Sequence, residues 1–348
     1  MADKKDWKDQ FKKHWEGSEK ALQAQVERAE RQAKKRLLSA MEAEAKRLEQ
    51  QIEGYYKKYA DKDGIIEYRK LMIGADAATR KQIFEDWEGF SEMHPEYAHL
   101  TPARESIYRL NRLQAEQEQI RLAMAEYGIK DTERVLKYVG KTAEQSFTAY
   151  CNALGQQGRL GVYNPHIIVH FKPVSAMESH EILDELAAMM AHGDKTVTLP
   201  TDIPGKILES KMKLADYMNT NMVNAFARGD STERIVRDMM TKFKGFTKND
   251  LTRLTYTENT RVMAETSACL NELSGVTEYK FSTYNDNLVC PICMSLQDAG
   301  PFKYKDRVPG ENFPPMHPWC RCTVTPVTGS FDDFMDSQLG KYLKGFKS

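Results

Sequence analysis

Several things are missing from this sequence, and each narrows what the chain can be. No stretch approaches the roughly 18 to 20 consecutive apolar residues that a membrane-spanning helix needs, so no membrane partner is expected. The segment Met1 to Ser18 is charged throughout and has no apolar core. No secretory leader is read there, and a reducing cytoplasm is the expected place of synthesis. Neither sign of charge is in excess, since 50 Lys and Arg offset 50 Asp and Glu. The whole-chain field therefore exerts no strong pull on nucleic acid or on an anionic membrane. Hydrophobic residues are sparse at 41%, against 29% charged, a balance that suits long solvated helices. At 348 residues the chain has room for two or three domains with cores of their own.

Proline is absent from Glu16 to Ala60, and the apolar residues of that stretch recur at helical spacing: Leu22, Val26, Ala29, Ala33, Leu37, Met41, Ala45, Leu48, Ile52, Tyr55 and Tyr59. This predicts one amphipathic helix of roughly 65 Å, whose narrow stripe needs a covering partner. Basic residues at Arg28, Arg31 and Lys34 to Arg36 are interleaved with Glu27, Glu30, Glu42 and Glu44, which reads as a solvated face rather than a phosphate contact. Asp61-Lys62-Asp63-Gly64 reads as the turn that ends the helix. Phe84, Trp87, Phe90 and Tyr97 are expected to be core. Thr101-Pro102 with Glu105 predicts the start of a second long helix ending at Gly128, followed by a third helical run from Thr132 to about Leu154.

Glycines at 155, 158 and 161 and the β-branched run Ile167-Ile168-Val169 change the character of the chain to loop and short strand, and Thr196 to Pro204 reads as a second extended segment. His166 and His170 lack an evident third ligand. Helix is expected to resume near Lys206, with Gly229 ending one helix in the left-handed region and Ser231 capping the next. From Leu251 to Leu273 a helix carries Arg253, Thr257, Glu258 and Arg261, of which Glu258 and Arg261 are spaced to pair along one face. A strand over Thr277 to Ser282 then leads to Asp286.

Four of the six cysteines fall in the last fifth of the chain, as Cys290-x-x-Cys293, then 23 residues, then His317-Pro-Trp-Cys320-Arg-Cys322. A CxxC turn presents two thiolates on one side of a tight loop, and a second Cys/His cluster can close a tetrahedron around Zn²⁺. Five donors compete for four positions: Cys290, Cys293, His317, Cys320 and Cys322. An extended Cys320-Arg321-Cys322 segment turns both cysteines to one side, so either can be a ligand. A structural ion is expected rather than a catalytic one, because a catalytic site keeps an open position and a nearby base. Two disulfides or a set of buried, unligated thiols are the bland alternative.

These residues resemble a known family. Arg253-x-x-x-Thr257-Glu258 on a helix, Gly275-Val276, a strand, Asp286, Cys290-x-x-Cys293, Pro314-Pro-x-His317-Pro-x-Cys320-Arg-Cys322 and Pro326 look like the phage Mu protein F family of minor head, or head morphogenesis, proteins. Tyr55 to Ile65 and the helix at Arg109-Leu-Asn-Arg-Leu-Gln also look like longer minor capsid proteins of phages of Gram-positive bacteria. The resemblance implies a non-enzymatic virion protein inside the head at the portal vertex, with the portal protein, other head proteins and packaged DNA as partners. It also implies a structural zinc clip, with Arg253, Thr257, Glu258, Arg261 and Asp286 as a supporting network. Trp319 and Phe313 are then expected to line the knuckle's apolar side, with Arg321 projecting from it.

The expected fold is mainly α. Long N-terminal helices occupy residues 1–154 and an irregular, β-containing linker residues 155–205. A Mu F-like domain with a helical segment and a small α+β zinc-knuckle lobe fills residues 206–327, and a tail fills 328–348. The competing function is a zinc-dependent nucleic-acid-binding, nuclease or toxin-like protein. Only 22 residues follow Pro326, too few for a catalytic fold there.

Overall fold

The computed structural model describes residues 4–156, 166–172, 194–200, 202–273, 276–283 and 287–327. They are mainly helical, as expected. The elements are α1 (Lys4–Tyr59), α2 (Tyr68–Leu71), α3 (Ala77–Met93), α4 (Arg104–Ile107), α5 (Arg112–Gln156), β1 (His166–Lys172), β2 (Asp194–Pro200), α6 (Ile203–Arg228), α7 (Thr232–Leu273), β3 (Glu278–Ser282), α8 (Pro291–Ala299), β4 (Phe302–Lys303) and β5 (Thr323–Pro326). Two compact units emerge: one from Lys35–Arg134 with Pro204–Leu251, the other from Met1–Lys34, Val135–Ile203 and Thr252–Ser348.

In the first unit the stripe of α1 is buried at Leu37, Met41, Ala45, Leu48, Ile52 and Tyr56. It packs against Leu113, Ile120, Met124 and Tyr127 of α5 and against the apolar faces of α6 and α7. The α1 and α5 helices run antiparallel: the Tyr55 hydroxyl donates to the Arg112 carbonyl at 2.8 Å, and Arg47 lies 3.9 Å from Glu126. Asp61 ends α1 as expected, its Oδ1 accepting the N–H groups of Asp63 and Ile65, each at 2.9 Å, with Gly64 in the left-handed region at φ 71°. Trp87 and Phe90 of α3 sit at the centre of a second cluster with Ile83, Ile107, Ala115 and Leu122.

Two boundaries differ from the sequence expectation. The long helix starts at Arg112 rather than near Thr101, because Asn111 and Gln114 form a reciprocal cap: the Gln114 N–H donates to Asn111 Oδ1 at 2.8 Å and the Asn111 N–H to Gln114 Oε1 at 3.0 Å. That helix also runs straight through Gly128. A helical glycine costs about 1 kcal/mol relative to alanine, but here it admits a close neighbour. A Cβ at position 128 would meet Leu208 Cδ1 and Lys211 Cγ at 3.3 Å. Lys211, only 2% exposed, ion-pairs with the fully buried Asp131 at 2.9 Å and lies 4.2 Å from the centre of the Tyr127 ring.

The α6–α7 turn follows expectation, with Gly229 at φ 73° and the Arg234 N–H donating to Ser231 Oγ. Strands β1 and β2 pair in parallel, His166 opposite Asp194 through Lys172 opposite Pro200.

The C-terminal lobe is built on an antiparallel sheet ordered β4-β3-β5. The two inward side chains of β3 face different neighbours. Tyr279 enters an aromatic cluster with Tyr304 and Phe313, ring centres at 4.9 and 5.5 Å, against Ala264 and Ala268 of α7. Phe281 packs with Cys293, Cys320 and Cys322. Arg307 clamps the lobe to α7, donating to Glu265 at 3.1 Å, to Glu272 at 2.8 Å and to the Tyr304 carbonyl at 2.9 Å.

Candidate metal centre

Three local structures deliver the donors. Cys290 is the N-cap of α8, with Pro291 in the first turn, and its Sγ accepts the Cys293 N–H at 3.4 Å. That bond and the positive end of the helix both favour the thiolate. Cys293, one turn on, is 1% exposed. The second structure is a turn closed by the Cys320 N–H on the His317 carbonyl at 3.1 Å, with Trp319 in the left-handed region at φ 65°. Proline followed by a residue with positive φ is the pattern of a type II turn, whose third position ordinarily falls to glycine. The third is the Cys320-Arg321-Cys322 segment entering β5, in which both cysteines are buried.

These pieces bring all five expected donors together. His317 Nε2 lies 3.2 Å from Cys290 Sγ and 3.5 Å from Cys293 Sγ. Tetrahedral bonds of about 2.3 Å to sulfur and 2.05 Å to nitrogen place S and N roughly 3.6 Å apart, so the gaps are close to those of a bound ion. The donor atoms of Cys290, Cys293 and His317 lie within 4.8 Å of one another, as do those of Cys293, Cys320 and Cys322. Cys293 belongs to both sets. His317 Nδ1 is 2.7 Å from the Pro318 carbonyl oxygen. A carbonyl only accepts, so Nδ1 carries the proton and the Nε2 lone pair is left facing the sulfurs. The residues fit a metal ion.

Electrostatics favour the same chemistry. The Cys320 thiol is drawn down to about 5, chiefly by its hydrogen bond with Cys322, against the effect of burial. The Cys322 thiol is driven up by that shared bond and by burial. Burial raises Cys290, but hydrogen bonds from Cys293 and the nearby His317 outweigh it and hold the thiol below its ordinary range. Cys293 is pushed up to about 12 by burial and by its bond with Cys290. For His317 burial acts downward, yet the Pro318 carbonyl and the charges of Cys320 and Cys290 raise it. Two thiols are thus shifted up beside two that are shifted down. A divalent cation among the sulfurs would supply the charge that lets the ligating thiols ionise.

Residues 216–325 match the family described as phage Mu protein F like protein. That region is Mu protein F-like. It contains every candidate donor and the helix that supports them. No curated protein and no solved structure matches the chain.

Within the Mu F-like region the expected supporting residues lie on α7, outside the two donor sets. Glu258 is 1% exposed and its Oε1 accepts from Arg261 Nη2 at 2.8 Å. The Thr257 hydroxyl donates to the Arg253 carbonyl at 2.7 Å and accepts the Trp319 N–H at 3.3 Å. Arg253 itself is exposed. Asp286 lies outside the described residues, as does Gly275.

Sequence reasoning missed Thr260, whose hydroxyl donates to the Cys320 carbonyl at 3.0 Å, and Tyr256, whose ring centre is 5.5 Å from that of Trp319. The signal was present as Tyr256, Thr257 and Thr260 on one helical face. The expected placing of Phe313 beside the knuckle is corrected: it is fully buried in the neighbouring aromatic cluster, where its ring packs edge-on against Tyr279 of β3. Trp319 is 47% exposed and leans on α7 rather than lining an apolar interior.

Proposed function

We propose that this protein is a minor structural component of a phage head, seated inside the capsid at the portal vertex, where it contributes to head assembly or to DNA delivery. In this reading a single structural Zn²⁺ fastens its C-terminal lobe. The observation that carries the proposal is the donor set: four thiols and an imidazole of fixed tautomer, converging within the Mu F-like region. Thiolates and imidazole suit zinc, whereas magnesium and calcium call for oxygen donors.

Four of Cys290, Cys293, His317, Cys320 and Cys322 would hold the ion. Neither donor set includes a carboxylate, and five donors can fill four positions without a water. Such a closed site contributes folding free energy, on the order of 10 kcal/mol for structural zinc, rather than chemistry. Long charged helices and a balanced net charge suit protein neighbours, with the portal protein first among them and other head proteins and packaged DNA beside it.

Metal analysis of the purified chain tests the fastener, and co-expression with the portal protein of the same phage tests the location. One zinc per chain and co-purification with the portal ring are expected. Folded protein without stoichiometric zinc overturns the first part, and failure to co-purify overturns the second. Loss of a measured DNA-cleaving activity on replacing His317, with folding intact, would favour the nuclease reading instead.

A further inference from the structure

The compact unit formed by Lys35–Arg134 and Pro204–Leu251 contains a cavity of about 310 Å³ that involves none of the metal-centre residues. In liquid water that volume corresponds to about ten molecules. It lies among α1, the start of α3 and the first turns of α5, and the small residues Gly54, Ala75 and Ala115 leave the space open.

One wall presents Glu116, which is 1% exposed. Its carboxylate bonds to Gln51, yet Oε1 has no hydrogen-bond partner among the described residues. Buried carboxyl oxygens are rarely left without a donor, because removal from water is uncompensated. Burial also pushes the Glu116 carboxyl well above its ordinary range, with Gln51 and Lys58 opposing the shift.

The other lining groups have the opposite character. Lys58 is exposed and Arg112 half-buried, so the cations stand nearer to solvent than the acid. The Arg112 guanidinium lies 4.9 Å from the centre of the Tyr59 ring and donates to the Lys70 carbonyl at 3.2 Å. The Tyr55 hydroxyl is occupied by the Arg112 carbonyl, which leaves the tyrosine rings to act as apolar wall. A buried acceptor in want of a donor, aromatic sides and cations nearer the surface form a polarised site.

We propose that this cavity binds a small zwitterion of the amino-acid class, its ammonium on Glu116 and its carboxylate toward Arg112 and Lys58. The ligand's ammonium would favour the ionised form of Glu116 against the effect of burial, while its carboxylate meets cations. The site is independent of the zinc reading.

Calorimetric titration of the full chain with each standard L-amino acid tests the proposal. At least one is expected to bind saturably, one per chain. Glu116→Gln is expected to weaken that binding at least about tenfold, and Lys58→Ala about threefold. Gly54 lines the cavity, and a Cβ added there meets nothing within 4 Å. Gly54→Leu adds bulk at the cavity's exposed edge while favouring the helix, and is expected to weaken binding in a protein whose circular dichroism is unchanged. No saturable heat from any amino acid, as for a cavity holding only water, overturns the proposal. Binding that neither Glu116→Gln nor Gly54→Leu weakens also overturns it, as does equal affinity for methylamine or acetate alone.

Discussion

Replacing Arg307 with methionine removes a cation from between two acids while keeping much of the side chain's length. The Arg307 side chain is 7% exposed, and its partners Glu265 and Glu272 are 11% and 17% exposed. Breaking a buried ion pair from one side costs about 3 to 5 kcal/mol, because the stranded charge keeps its desolvation penalty. The cost here should depend on pH in a definite direction. Burial already raises the Glu272 carboxyl, against the pull of Arg307, and without Arg307 it rises further. The folded variant then binds a proton that the unfolded chain, with an ordinary glutamate near about 4.3, has released. Stability is fully present below the unfolded value and is lost as pH rises through the folded one, by up to about 1.4 kcal/mol per pH unit for one proton. The deficit relative to the native protein should therefore be largest near neutrality and shrink toward about pH 5. Amide hydrogen exchange of β3 and β5 in both proteins at the two pH values reads it directly, and the comparison cancels loss of metal in acid. Adding Glu265→Gln and Glu272→Gln should restore most of the stability. A deficit below about 1 kcal/mol, or one that stays constant or grows on acidification, refutes the reasoning.

Chelation, or Cys290→Ser, is expected to remove exchange protection from α8, β3 and β5 while leaving α1 and α5 protected; retention of the lobe's melting transition in metal-free protein would contradict this. Trp319 occupies a left-handed position, so Trp319→Val should destabilise the lobe by about 1 to 2 kcal/mol more than Trp319→Gly, as measured by denaturant midpoints. Thr260→Val removes the bond to the Cys320 carbonyl and should cost about 1 kcal/mol, together with roughly tenfold in zinc affinity by competition with a chelating dye. Gly128→Leu forces a side chain into a 3.3 Å contact and should cost about 1 to 3 kcal/mol in thermal melts.

Local patterns in the sequence carried over well to the structure. The middle of the α1 stripe, the Asp61–Gly64 turn, the Gly229–Ser231 turn and the Glu258–Arg261 pair are decided within one or two helical turns and appear as read, whereas at the end of α1 the core position falls to Tyr56 rather than to Tyr55 or Tyr59. The convergence of Cys290, Cys293, His317, Cys320 and Cys322 was also legible, since the spacing confines the donors to two short loops. Features decided by distant neighbours were not. Gly128 looks like a stop until Leu208 and Lys211 arrive beside it from α6. Arg307 lies 42 residues from Glu265 and 35 from Glu272, and no motif announces that clamp. Phe313 reads as part of the knuckle by proximity along the chain, whereas its ring packs edge-on against that of Tyr279 on β3.

The overlap of the two donor triplets at Cys293 gives the lobe an uneven mutational robustness. Loss of Cys320 or of Cys322 alone breaks one triplet and leaves that of Cys290, Cys293 and His317 whole. Cys293 alone belongs to both triplets, so its removal breaks both at once. Drift among related sequences should thus be freer at the paired cysteines near β5 than at the single thiol on which both arrangements pivot.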